Sequence, residues 1–67
     1  MDINILYKTF QKLIGQTVDI TTEYTYHDDV TVADVDREYV YIDGYDSAGN
    51  STDYILLLRD IQSVDND

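Results

Sequence analysis

Residues 13–26 read Leu-Ile-Gly-Gln-Thr-Val-Asp-Ile-Thr-Thr-Glu-Tyr-Thr-Tyr, and the apolar period changes inside them. Before Gly15, Ile3, Leu6, Tyr7, Phe10, Leu13 and Ile14 recur at spacings of three and four, the signature of one helical face. After Gly15, Val18, Ile20, Thr22, Tyr24 and Tyr26 alternate with Thr17, Asp19, Thr21 and Glu23. That is the two-residue period of a strand with one dry and one wet face. The spacing predicts a helix over 3–14 followed by a long strand over 16–26. Asp2 suits the N-cap, because its carboxylate can accept from the free N–H groups of the first turn. Lys8 and Lys12 lie towards the end of the helix, where its dipole favours cations. Gly15 can adopt the left-handed conformation that stops a helix.

Working outward, His27-Asp28-Asp29 has the composition of a turn. Val30 and Val32 resume the alternation over a second strand, 30–36, but Val35 is out of phase. A bulge near Ala33-Asp34 would restore the register and bend the strand. Asp36-Arg37-Glu38 forms the next turn. A third strand covers 39–45, with Val40 and Ile42 inward and Tyr39 and Tyr41 outward. Asp46 to Ser51 reads as a hairpin loop, 53–58 as a fourth strand, Arg59-Asp60 as a tight turn and 61–64 as a short fifth strand. Asp65-Asn66-Asp67 reads as a frayed tail. The fold class that follows is mainly β with one N-terminal helix: a five-stranded, strongly bent antiparallel small barrel, formed as a single domain over residues 1–67. The run Ile55-Leu56-Leu57-Leu58 does not alternate, so both faces of its strand want cover. The chain's own helix could cover one. Pairing between copies through Leu56, Leu58 and Ile61 could cover the other.

Tyr54-Ile-Leu-Leu-Leu-Arg-Asp-Ile-Gln-Ser-Val64 resembles the fourth and fifth strands of Sm-like, SH3-type barrels, which carry an apolar strand, a one-turn connection and an Ile-x-x-Val. Val35-Asp36 followed by Val40-Tyr41-Ile42 is similar to the first Sm motif. The resemblance implies the fold and ring-forming edges. It does not extend to the RNA site. Arg37, Glu38 and Tyr39 stand where the RNA-binding Asn would be sought, and Arg59-Asp60 replaces the Arg-Gly pair. The bacterial Tyr-Lys-His signature is missing as well.

Charge narrows the function. Fourteen acidic residues face four basic ones, a formal net charge of −10 over 67 residues. Binding phosphate requires Lys and Arg to displace counterions, so direct nucleic-acid or anionic-membrane binding is disfavoured. A basic protein surface is favoured, with fast and salt-sensitive encounter. The absence of cysteine and of a signal-like N-terminus points to a cytoplasmic protein. Nothing points to catalysis or to a cofactor. The single His, His27, sits beside two aspartates with no Cys and no serine elbow. The stretch from Asp43 to Asp53 is rich in oxygen ligands but lacks the spacing of a calcium loop, and a hairpin accounts for it.

The expected activity is therefore non-enzymatic binding to a basic protein surface. Its most specific form is mimicry of nucleic acid to inhibit a DNA- or RNA-binding protein, as small acidic phage inhibitors of nucleases do. Asp34, Asp36, Glu38 and Asp43 are the candidate charges, and Tyr39 and Tyr41 the candidate anchors. Two alternatives remain at this stage: a ring-forming Sm-like protein that binds RNA or a nucleotide-type ligand, and a structural subunit of a larger assembly.

Overall fold

The structure, a computed structural model, describes residues 2–66. Helix α1 spans Ile3–Leu13 and is followed by strands β1 (Thr17–Thr22), β2 (Tyr26–Val35), β3 (Tyr39–Tyr45), β4 (Ser51–Leu57) and β5 (Ile61–Asn66). A single 3-10 turn, η1 (Leu58–Asp60), joins β4 to β5. The helix starts as expected: Asp2 Oδ1 accepts from the Asn4 N–H at 3.2 Å. It ends at Gly15, which has φ 85° and donates its N–H to the Val32 carbonyl at 2.8 Å. That bond ties the helix exit to β2. Lys12 lies in the last turn.

The strands form one antiparallel sheet in the order β4-β3-β2-β1-β5. The sheet is not closed into a barrel: β4 and β5 are its two edges, which corrects the expectation of closure. Closure would need β4 and β5 to pair. They follow one another directly through η1, and β5 crosses instead to the far side, beside β1. The bulge expected near Ala33-Asp34 is present as a register shift between Val32 and Asp34 against β3.

The first turn lies elsewhere than the composition suggests. Strand β1 ends at Thr22, and the chain reverses over Glu23-Tyr24-Thr25. The Thr22 hydroxyl holds this turn, accepting from the N–H groups of Tyr24 (3.1 Å) and Thr25 (2.9 Å) and donating to the Thr25 carbonyl (3.1 Å). His27, Asp28 and Asp29 are strand residues. His27 pairs with Ile20, and Asp28 and Asp29 form a bulge opposite Asp19, where the register shifts between Val18 and Ile20; Asp29 takes a left-handed φ of 51°. The C-terminal residues Asp65 and Asn66 are not a tail. They pair with Asp19 and Val18 in β5. Asp67 lies outside the described residues.

The core gathers Leu6 and Phe10 of α1 against Val18, Ile20, Val30, Val32, Val35, Val40 and Ile42 of the sheet, closed by Leu58 and Ile61. Each large side chain fully buried there contributes about 1.5–3 kcal/mol. The leucine run thereby finds a simple account. Leu56 packs partly against the core, Leu57 is half-buried, and Leu58 leaves the strand into η1 and is wholly buried. Leu58 and Ile61, expected at a contact between copies, instead fill the core of their own chain. Ile55 remains, 62% exposed on the outer face of β4.

Candidate functional site

Every Lys and Arg of the chain lies outside the strands, at Lys8, Lys12, Arg37 and Arg59. Lys8 and Lys12 ride on α1. Arg37, in the β2–β3 turn, lies over the Tyr7 ring of α1 with its guanidinium carbon 4.8 Å from the ring centroid. Arg59 is in η1, which packs against α1. The cations thus collect around the helix, and the five strands carry none.

The strands instead carry aspartates on the outer face, the face turned away from the core. Alternation places them there: Val18 and Ile20 point inward, so Asp19 points out, and Ile42 and Gly44 point inward, so Asp43 points out. Register then lines them up. Asp53 of β4 is opposite Asp43 of β3, and Asp65 of β5 is opposite Asp19 of β1. Asp28 and Asp29 of β2 bulge towards Asp19, and the Asp29 N–H donates to Asp19 Oδ1 at 2.9 Å. Carboxylate oxygens of Asp19, Asp28 and Asp29 all lie within 4.8 Å of one another, close enough for one cationic group to touch all three. The result is an acidic band that crosses the whole sheet, with a carboxylate from each strand.

Crowding of like charge leaves a mark on the band. A hydrogen bond with Asp19, followed by the charge of Asp29, holds the Asp28 carboxyl above the usual carboxylate range. A hydrogen bond with Asp53 does the same for Asp43. Both shifts mean that the ionised form is disfavoured by its neighbours. A cation arriving from outside would relieve that repulsion.

The candidate residues around the second turn behave differently. Asp36 lies just beyond β2 and turns its carboxylate back on the chain. Its Oδ1 accepts from the N–H groups of Glu38 (2.8 Å) and Tyr39 (2.7 Å), and its Oδ2 accepts from the Tyr41 hydroxyl (2.9 Å). These bonds, that of Tyr39 first, hold its pKa below the usual range. Asp36 therefore builds the turn. Asp34 is exposed and accepts from the Val35 N–H at 2.8 Å. Tyr39 and Tyr41 do lie on the outer face, their ring centroids 6.5 Å apart, but both are half-buried. Their hydroxyls are engaged: Glu38 beside Tyr39 and Asp36 beside Tyr41 push both phenols up. Glu38 and Tyr39 also share a hollow with Arg37 and Arg59, so the negative charge there is locally offset. Of the candidate charges, Asp43 belongs to the acidic band. Asp19, Asp28, Asp29, Asp53 and Asp65 complete it. The signal that could have found them is register across five strands, and alternation within one strand does not supply it.

The loop from Asp46 to Asn50 is a self-contained turn: Asp46 Oδ1 accepts from the N–H groups of Ala48 and Asn50, each at 2.9 Å. No helix is long and apolar enough to cross a membrane among the described residues. No protein-family model, no curated protein and no solved structure matches the chain.

Proposed function

We propose that the chain is a non-enzymatic binding protein whose outer sheet face docks on a basic protein surface. The observation that carries this reading is the acidic band of Asp53, Asp43, Asp28, Asp29, Asp19 and Asp65 on strands that contain no cation. A solubilising surface mixes both signs. Here the signs are segregated, and two carboxyls are held above their usual range by their neighbours. Neighbouring strands are about 4.8 Å apart, and alternate residues along a strand about 6.7 Å. Directly opposed carboxylates such as Asp53 and Asp43 are thus about one strand spacing apart, and the band offers a row of negative charge across the sheet, as a nucleic-acid backbone does along its strand. Mimicry of nucleic acid towards a nucleic-acid-binding protein is the sharper form of the proposal.

The test replaces Asp28, Asp43, Asp53 and Asp65 with Asn and leaves Asp36 intact to preserve its turn. Partners are captured from the source cell at low salt, and affinity is then measured against salt concentration. The expected partner is basic, with an affinity that falls steeply with salt and more gently for the fourfold variant. Equal affinity and equal salt slope for variant and parent would refute the proposal. Competition with DNA or RNA for the same partner tests the mimicry.

A further inference from the structure

At one end of the sheet, the start of β2 and the ends of β3 and β4 frame a hollow of about 470 Å³, the lower part of the range for small-ligand sites. It has room for one long side chain. Beside it, Val30 and Tyr54 pack closely over Gly44: a Cβ there would meet Val30 Cγ1 at 3.0 Å and Tyr54 Cε2 at 3.3 Å. The Tyr54 ring settles over this position. Its hydroxyl donates to the Tyr45 carbonyl at 3.1 Å, and the ring lies 4.9 Å from that of His27, tilted by 52°. Tyr26 and Tyr45, both largely exposed, complete its wall, and Asp28 and Asp29 edge it.

We propose that this hollow, walled by Tyr26, His27, Tyr45 and Tyr54 and edged by Asp28 and Asp29, seats one cationic side chain of a basic partner, arginine in preference to lysine. The aromatic faces attract a cation. A planar guanidinium can lie on a tyrosine ring while its forked N–H groups donate to a carboxylate at the edge, a pairing that the compact ammonium of lysine cannot match. The inference rests on the acidic-face reading and names the side chain that reading would dock.

Nuclear magnetic resonance titration of the full chain with N-acetyl-arginine amide tests it, with N-acetyl-lysine amide in parallel. The expected result is saturable shifts confined to residues 25–30, Tyr45, Tyr54 and the His27 ring nitrogens, and weaker saturation by the lysine compound. Tyr45→Ala, at an exposed position, should weaken arginine binding about two- to five-fold without unfolding the chain. Shifts that never saturate, or that spread evenly to Asp43, Asp53 and Asp65, overturn the site. So does an unchanged affinity in Tyr45→Ala. If arginine fails to seat while a captured partner still binds with a steep salt slope, the hollow is refuted and the acidic face stands. If arginine seats but no basic partner is found, the hollow stands and the acidic-face reading fails.

Discussion

Gly44→Ala adds one methyl group where the inner face has no room for it. The new carbon would stand 3.0 Å from Val30 Cγ1 and 3.3 Å from Tyr54 Cε2. Relaxed carbon contacts lie near 3.5–4.0 Å, so each neighbour must retreat by a few tenths of an ångström. Neither can do so freely. Val30 is buried and β-branched, with one favoured rotamer. Tyr54 is held by its hydroxyl bond to the Tyr45 carbonyl and by the His27 ring. Overpacking of this kind costs about 1–3 kcal/mol. Removing a glycine from the unfolded chain returns about 0.4–1 kcal/mol. The net loss is about 1–2 kcal/mol, which lowers Tm by about 4–15 °C in a domain of this size. Urea and thermal unfolding, followed by circular dichroism, measure it. The His27 ring signals should move as well, because the displaced tyrosine is their neighbour. A Gly44→Ala protein as stable as the parent, or more so, would refute the packing argument. Gly49→Ala separates crowding from backbone strain: nothing lies within 4 Å of its added carbon, but its φ is 82°.

Two further outcomes follow from the turns and the charges. Thr22→Val keeps the side-chain shape but leaves the Tyr24 and Thr25 N–H groups without their acceptor, and should cost about 1–3 kcal/mol in urea unfolding, with Thr22→Ser recovering most of it. A neutral Thr22→Val would show that the turn does not depend on the hydroxyl. On acidification, Asp28 and Asp43, whose folded pKa values lie above the ordinary 3.8, add stability as pH falls through those values. Asp36 has a folded pKa below 3.8, so its contribution is full above that value and is lost as pH falls through the folded pKa. Thermal midpoints across the acid range should therefore rise and then fall, Asp43→Asn flattening the rise and Asp36→Asn the fall. The same sign of effect from both variants would contradict the assignment.

The helix and the strand types were legible because they depend on local periodicity. Asp2, Gly15 and the apolar face centred on Leu6 and Phe10 sit where the pattern placed them. Boundaries failed where a side chain, not composition, made the turn. Thr22 bends the chain with its hydroxyl, whereas His27-Asp28-Asp29 has the look of a turn but continues the strand, with Asp28 and Asp29 as a bulge. The open sheet was not legible either. Whether β5 returns to β4 or crosses to β1 is decided by contacts far apart in sequence. The candidate site divides the same way. Outward-facing Asp43 follows from alternation within β3. Its alignment with Asp53, and that of Asp19 with Asp65 and the β2 bulge, exists only once the strands are in register.

Segregation of the cations around α1 gives the molecule a direction as well as a charge. A sphere with the same net charge would drift towards a positive surface in any attitude. With Lys8, Lys12, Arg37 and Arg59 gathered at the helix and the strands left wholly anionic, the molecule is a dipole. An external field therefore exerts a torque on it as well as a pull. Near a cationic surface, it turns its strands inward and its helix outward before the first atoms touch. The approach then samples fewer wrong orientations, and salt slows it by screening the torque along with the attraction.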